Sequence, residues 1–278
     1  MSSLPNQSRR SLQIYAGENV STGGLQTSLK RSFTGAVIDS VTATQIKTDK
    51  TLDFRTLAFF LPGIIGEDSP YLSELGEEGN QAIRDYVESG GVFVGICAGA
   101  YYACSRIVYN PPWRAEEKTS EPGLDFFNGL AKGPPKGLAK ESTQARYSDC
   151  RLVNVSYTDK EGETKTTGIL YGNGPALYPD QDDGLMVLAR YADVPGNPIA
   201  IAAQKTGKGL AIFLGVLPEM GTLDIKAIAQ FEALNELNET LRPHEGGRQE
   251  IWDMIVDLIK AHNIKLGRVQ PLLLHRQP

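Results

Sequence analysis

The chain has few of the residues that build metal centres and disulfide frameworks. Its 278 residues include three cysteines (Cys97, Cys104 and Cys150) and three histidines, all of them after residue 243. An odd number of cysteines without a CxxC pair argues against a disulfide framework and is not the pattern of a zinc site. We therefore expect reduced cysteines, a cytoplasmic location, and neither a metal ion nor a cofactor.

Long apolar runs and an excess of basic residues are also lacking. No uninterrupted apolar segment approaches the ~18 residues that cross a bilayer, and residues 1–10 lack the apolar region of a signal peptide. The net charge is −5, with 28 basic and 33 acidic side chains. These features predict neither a membrane nor a nucleic acid as partner, and they leave the oligomeric state open. A hydrophobic content of 41% and a charged content of 22% are typical of a globular domain.

Buried strands alternate with amphipathic helices in the first hundred residues. Strands are predicted over 12–17, from Ala36, over 57–61 and over 91–96. One helix is predicted to begin at Ser21 or Thr22, and a second helix is predicted over 76–89. This alternation indicates an α/β fold with a parallel sheet and helices on both faces. Ligands of such sheets bind beyond the carboxyl ends of the strands, where the Pro62-Gly63 turn and Cys97 both lie.

The second half of the chain has a different pattern. Residues 110–149 are rich in Pro and Gly turns and are predicted to form an irregular loop. Two hairpins follow, one over 151–171 and one turning at 205–209, and the chain ends in amphipathic helices over 227–241 and 251–262. We expect one domain over 10–220 and a C-terminal helical extension over 221–278 that packs on the same domain.

The segment around Cys97 carries the strongest chemical signal. An apolar run ends in Gly95-Ile96-Cys97-Ala98-Gly99, the thiol form of the Gly-x-nucleophile-x-Gly turn between a strand and a helix. At the start of a helix the thiolate is favoured, and the backbone N–H of Ala98 can hold an oxyanion. The helix is predicted to continue to Cys104, which would pack in the core. The alternative reading of Cys97 itself is a small buried hydrophobe.

With Ser105-Arg106 beyond it, this segment resembles the N-terminal domain of biotin–protein ligases, a member of the class I glutamine amidotransferase-like superfamily. The resemblance extends over about 10–220 and includes Pro62-Gly63, Leu170 to Pro175, and Gly207-Lys208-Gly209 leading into Gly215 to Glu219. It implies a flavodoxin-like sheet. The glycine- and arginine-rich adenylate loop and the catalytic lysine of the ligase domain are not found, so biotinylation is not expected.

The resemblance also implies roles for individual residues. Amidotransferase relatives hydrolyse a glutamine amide with a Cys-His-Glu triad. Cys97 matches the nucleophile and Glu219 the acid, but Leu217 stands in place of the histidine. His244 could fold back as a substitute base, although a polar loop histidine is more often solvated.

The remaining candidate residues would bind or polarise a ligand. Gly63 and Ala98 are candidate oxyanion donors, and Tyr101 is a candidate binding residue. Glu18 could contact the cysteine, as a carboxylic acid does in other thiol proteins of the superfamily; alternatively it is an exposed loop acid.

Two functions follow. Leu217 favours a small-molecule-binding or regulatory module with little glutaminase turnover. The cysteine turn favours an active amide hydrolase or transferase acting through a thioester on Cys97. A weaker third reading is a redox sensor.

Overall fold

The computed structural model of the protein describes residues 10–66, 69–111, 118–120, 123–138, 150–181, 184–228 and 232–268. The strands are β1 Ser11–Tyr15, β2 Val37–Val41, β3 Thr56–Leu61, β4 Val92–Ile96, β5 Cys104–Tyr109, β6 Lys118–Ser120, β7 Phe127–Gly133, β8 Arg151–Thr158, β9 Thr164–Tyr171, β10 Ala176–Pro179, β11 Leu185–Tyr191, β12 Ile199–Thr206 and β13 Gly209–Leu214. The helices are α1 Gly23–Ser32, α2 Ala43–Thr48, α3 Tyr71–Glu88, α4 Ala98–Tyr102, α5 Thr222–Ile228, α6 Glu232–Leu241 and α7 Glu245–Lys265, and a 3₁₀ turn covers Arg242–His244.

The thirteen strands in the described part of the chain belong to one mixed sheet. Its path is β2-β1-β3-β4-β13-β12-β10-β7-β5-β6, and β11, β8 and β9 branch from β12. The first five strands of the path run parallel to one another. The next strand in the path, β12, pairs antiparallel with β13. The predicted α/β fold with a flavodoxin-like sheet is therefore confirmed in the parallel half of the sheet, and the remaining strands, which are mostly antiparallel, form the other half.

Helices cover both faces of the parallel half of the sheet. Side chains alternate between the two faces along each buried strand, so both faces are apolar and need a covering layer. On β3, Phe60 packs in one core with α1 and α7, whereas Phe59 packs in the other core with α3. The C-terminal helix α7 is fixed to the first of these faces, where the Trp252 indole N–H donates to the Ser32 hydroxyl at 2.9 Å. Among the described helices, none is long and apolar enough to cross a membrane.

The structure confirms both predicted hairpins. The β8–β9 pair is antiparallel in register from Arg151 opposite Tyr171 to Thr158 opposite Thr164. The β12–β13 pair closes with Thr206 opposite Gly209. These pairings matter for the site, because β9 and β13 both end at the edge of the sheet where Cys97 lies.

Two predicted elements were wrong. The helix after Cys97 ends at Tyr102, because the carbonyl groups of Tyr102 and Ala103 accept hydrogen bonds from 124–127 instead of continuing the helix. Cys104 therefore begins a strand, β5, which pairs with β7 inside the segment predicted as an irregular loop. The predicted helix over 227–241 is helical wherever the structure describes it, as the end of α5 and as α6, and residues 229–231 lie outside the described residues.

Candidate functional site

Cys97 occupies a sharp turn between β4 and α4. Its backbone has φ 52° and ψ −106°, a conformation that costs a non-glycine residue roughly 1–3 kcal/mol. The surrounding chain holds this conformation through two backbone hydrogen bonds. The Cys97 N–H donates to the Leu214 carbonyl at 2.8 Å, and the Gly99 N–H donates to the Pro62 carbonyl at 3.2 Å. The turn is thus joined to the ends of β13 and β3.

Steric constraints require glycine at both positions that flank the Cys97 turn, 95 and 99. A Cβ atom on Gly95 would lie 2.6 Å from the Gly99 carbonyl oxygen, and one on Gly99 would lie 1.9 Å from the Leu61 carbonyl oxygen. Neither contact involves a flexible side chain that could move away. The close packing of α4 on the end of β3 therefore depends on glycine at both positions.

A cavity of about 70 Å³ opens beside Cys97, beyond the carboxyl ends of β3, β4 and β13. Its walls are mostly apolar, formed by Leu25, Pro62, Ile64, Ile65, Leu170, Leu217 and Met220. Its other lining residues are Ser21, Gly63, Cys97, Cys150, Gly172, Asn173 and Glu219. This is the edge of the sheet at which the sequence places a ligand.

The Cys97 thiol donates a hydrogen bond to the Gly172 carbonyl at 3.3 Å. Burial raises the pKa of Cys97 from 9.0 to about 12. The neighbouring Cys150 and Glu219 raise it to a smaller extent, and the hydrogen bond from the Ala98 N–H lowers it. The expectation of an acidic thiol is therefore wrong for this structure. Helix α4 has only five residues, so its N-terminus offers little compensation for the loss of water around the sulfur.

Glu219 is the buried carboxyl of the cavity. Its side chain is 4% exposed, and its Oε2 atom has no hydrogen-bond partner among the described residues. Burial raises the pKa of Glu219 from 4.5 to about 8. Three smaller effects act on the same pKa: the residue's own backbone N–H and the positive charge of Arg248 lower it, and the negative charge of Asp224 raises it. The carboxyl is therefore mostly protonated at neutral pH, with one oxygen buried and unpaired among the described residues.

Leu217 lies in the same cavity wall as the two groups that a triad histidine would join. It lines the cavity with Cys97 and Glu219, and its backbone N–H donates to the Leu170 carbonyl at 2.8 Å. A Cβ atom on Gly172 would lie 3.7 Å from Leu217 Cδ1, so the leucine packs beside the residue that accepts the thiol hydrogen bond. No histidine lies in the described lining of the cavity.

The described histidines lie elsewhere. The His244 Nδ1 atom accepts from the Gly168 N–H at 3.0 Å, in the middle of β9 and away from the cavity. His262 contacts the Gly90 carbonyl at 3.2 Å, next to the amino end of β4 and so at the opposite edge of the sheet. His275 lies outside the described residues. His244 is thus occupied by a structural hydrogen bond rather than folded back onto Cys97.

The other predicted site residues are placed as follows. Gly63 lines the cavity, where an added Cβ atom would lie 3.2 Å from Cys97 Cβ. Ala98 follows the cysteine and directs its N–H toward the sulfur. The Tyr101 hydroxyl donates to the Asn173 carbonyl at 3.1 Å, so it supports the cavity wall from behind. Glu18 is exposed and outside the cavity, with its backbone N–H donating to Glu74 at 3.2 Å.

Sequence analysis did not select Cys150, which lines the same cavity as Cys97. A Cβ atom on Gly172 would lie 3.4 Å from the Cys150 sulfur, so Gly172 lies between the two thiols. No local motif surrounds Cys150 that could have indicated this position. Within the described part of the chain, no group of three or more His, Cys, Asp or Glu side chains could hold a metal ion.

Comparison with known proteins agrees with this geometry. The sequence matches the family described as biotin-protein ligase, N terminal, over residues 11–270. The chain belongs to this family. It is 30% identical to an uncharacterized protein of Chlamydia muridarum over 216 residues, which cover 76% of this chain and 78% of the relative. It is 28% identical to the biotin–protein ligase of Schizosaccharomyces pombe over 167 residues, which cover 59% of this chain but 26% of the ligase.

Solved structures extend the likeness to the glutamine amidotransferase fold. A chain of PurLQS from Thermotoga maritima superimposes with a TM-score of 0.52 at 16% identity, covering 89% of this chain and 99% of that one. A glutamine amido transferase from Methylobacillus flagellatus superimposes with a TM-score of 0.51 at 11% identity, covering 97% of each chain. This biotin-protein ligase N-terminal family member therefore has a glutamine amidotransferase-like fold.

Proposed function

We propose that this domain binds a small molecule in the Cys97 cavity as a binding or regulatory module, with little glutaminase turnover. The observation that carries the proposal is Leu217, an apolar side chain in the cavity wall at the position where the family resemblance implies the triad histidine. Glu219 supports it, because a carboxyl that would orient a histidine is buried with Oε2 unpartnered among the described residues.

The proposal follows from what amide hydrolysis requires. The cysteine sulfur must attack as a thiolate, and the departing amine must receive a proton. A thiol whose pKa is raised to about 12 is almost entirely protonated at pH 7. A positioned acid–base group contributes typically about 10²–10⁴ in rate, and Leu217 cannot supply one. Both requirements therefore work against turnover.

A second candidate function is amide hydrolysis or acyl transfer through a thioester on Cys97. One observation favours it: the strained backbone of Cys97, since strain of this kind clusters at functional sites. In this reaction the sulfur would bond to the carbonyl carbon, the amine would leave with a proton, and water would release the acid. Gly63 and Ala98 would be the candidate oxyanion donors, and Glu219 would be the acid of the site.

Ammonia release from glutamine distinguishes the two functions. The full chain is incubated with glutamine at pH 7.5, and ammonia is measured against Cys97→Ser, with Cys150→Ser as a matched thiol replacement in the same cavity. We expect wild type and both variants to release ammonia at the same background rate. Rapid release that is lost in Cys97→Ser and kept in Cys150→Ser would overturn the proposal in favour of the hydrolase.

A further inference from the structure

Two cysteines line the cavity from distant parts of the chain. Cys97 follows β4 and Cys150 directly precedes β8, and both side chains are half-buried. The third cysteine, Cys104, is fully buried in β5, where its thiol donates to the Ala100 carbonyl at 3.2 Å. Folding therefore brings two of the three thiols to one cavity, whereas Cys104 is not among the described residues that line it.

Both cavity sulfurs pack against the same residue, Gly172. Its carbonyl oxygen lies 3.3 Å from the Cys97 sulfur, and a Cβ atom added to it would lie 3.4 Å from the Cys150 sulfur. The register of β8 and β9 explains the second contact. It places Arg151 opposite Tyr171, so Cys150 and Gly172 lie one step beyond the last pair and are neighbours across the two chains. Gly172 itself has no side chain that would separate the two thiols.

We propose that Cys97 and Cys150 form a reversible disulfide bond across the cavity, and that a peroxide is the oxidant. To form the bond, the Cys97 thiol must leave the Gly172 carbonyl, which it holds as a weak donor. The cavity of about 70 Å³ beside both sulfurs gives the two side chains room to rotate toward each other. Hydrogen peroxide has two heavy atoms and fits the same space, whereas a peptide disulfide is far too large to enter it.

The reaction has two steps. In the first, the sulfur of one cysteine, as thiolate, attacks the peroxide; a sulfur–oxygen bond forms, the oxygen–oxygen bond breaks, and the leaving hydroxide takes a proton to become water. In the second, the other thiolate attacks the sulfenic acid; the disulfide forms, the sulfur–oxygen bond breaks, and a second water leaves. The two sulfurs give up two electrons and the peroxide accepts them. Either cysteine can take the first step, because both line the cavity.

The disulfide changes the site in two ways. It removes the Cys97 thiol, so no nucleophile remains for acyl transfer. It also ties the turn after β4 to the residue before β8 through a bond that crosses the cavity, which leaves less space for a ligand. Both effects follow whether the cavity binds its ligand or hydrolyses it, so the proposal is independent of the proposed function.

Mapping of the oxidised cysteines tests the proposal on the wild-type chain, without any variant. The full reduced chain is treated with hydrogen peroxide, the remaining thiols are blocked with iodoacetamide in urea, and the peptides are identified by mass spectrometry without reductant. We expect Cys97 linked to Cys150 to be at least about tenfold more abundant than either other pairing, because only these two thiols share a cavity. Dithiothreitol should restore both thiols.

The unfolded chain and a matched variant provide the controls. In urea the same oxidation should favour Cys97 linked to Cys104, because the shortest loop closes at the lowest entropic cost. The folded structure must therefore reverse the preference that sequence separation alone would give. Cys104→Ala should form the disulfide at a rate within about twofold of wild type, since the buried Cys104 takes no part in it. Cys150→Ser should form none within the chain.

Several results would overturn the inference. A folded wild-type chain that links Cys97 to Cys104, or that links cysteines only between two chains, would show that the cavity does not bring Cys97 and Cys150 together. Sulfinic acid on Cys97 without any disulfide would show that Cys150 cannot reach it. Ammonia release from glutamine is measured separately, so glutamine turnover would refute the proposed function without affecting the disulfide, and a missing disulfide would leave the proposed function in place.

Discussion

The Cys97 sulfur and the Gly172 carbonyl oxygen lie 3.3 Å apart, with the thiol as hydrogen-bond donor. The bond joins the turn after β4 to the residue that follows β9. It stabilises the protonated thiol, since a thiolate at this place would face the negative end of the carbonyl dipole instead of donating to it. A neighbour from a distant part of the chain therefore favours the neutral thiol in the same direction as burial does.

Alkylation of Cys97 should increase throughout the accessible alkaline range. Because its pKa is raised to about 12, the thiolate fraction rises about tenfold with each pH unit from 7 to 10, without a plateau. Iodoacetamide labelling, resolved by peptide mass spectrometry, measures the rate at each pH. In urea the same cysteine should approach a plateau above its free pKa of about 8.5. A plateau below pH 9 in the folded protein would mean that the thiol is acidic after all.

Removing the charge of Glu219 should change how stability depends on pH. The folded chain keeps a proton on Glu219 up to a pKa of about 8, whereas the unfolded chain releases it near 4.5. The favourable contribution is therefore present below pH 4.5 and is lost as pH rises through 8. At pH 9, Glu219→Gln should exceed wild type in free energy of unfolding by on the order of 5 kcal/mol at most.

Urea unfolding at pH 5, 7 and 9 measures this difference. The midpoint of wild type should fall relative to Glu219→Gln as pH rises, with equal slopes for the two proteins. Glu18→Gln serves as control, since Glu18 is exposed and should change nothing. Parallel pH profiles for Glu219→Gln and wild type would show that Glu219 ionises freely in the folded protein.

Leu217→His should activate Cys97. An imidazole at this position would lie in the cavity wall shared by Cys97 and Glu219, where the carboxyl could bind one ring nitrogen. We expect the alkylation rate of Cys97 at pH 7.5 to rise at least tenfold. The buried polar ring should also lower the free energy of unfolding by about 1–3 kcal/mol.

Two variants separate a working base from a disturbed cavity. Leu217→Gln introduces polarity without a titratable group and should leave the alkylation rate near that of wild type. Leu217→His combined with Glu219→Gln should lose part of the gain, because the carboxylate that orients the ring is gone. A folded Leu217→His protein as unreactive as wild type would argue that the cavity cannot be returned to triad chemistry by one residue.

The sequence was sufficient for the parallel half of the fold. Strands such as β3 are continuous apolar runs buried on both faces, so local composition alone indicates them. Strand β7 was missed although its residues alternate between buried and exposed. It contains two glycines and precedes a proline, and its formation depends on pairing with β5 and β10, which no local pattern reveals.

The site was predictable to the same extent. Gly63, Cys97, Leu217 and Glu219 follow parallel strands, so topology alone brings them to one edge of the sheet. Cys150 was not predictable, because its position depends on the register that places Arg151 opposite Tyr171 at the end of β9. The direction of the Cys97 pKa shift was also missed. A strand-turn-helix motif does not show how long the helix is, and it does not show how deeply the sulfur is buried.

The glycines at 95 and 99 have a consequence for how related sequences are interpreted. Each is required by backbone atoms of its neighbours, whatever Cys97 does. A lineage that gave up hydrolysis would therefore still be held to glycine at both positions, since any larger residue would disrupt the packing of the turn. The motif then records ancestry and architecture, whereas the residue at position 217, which no such packing fixes, is the one to inspect when judging whether a homologue is an enzyme.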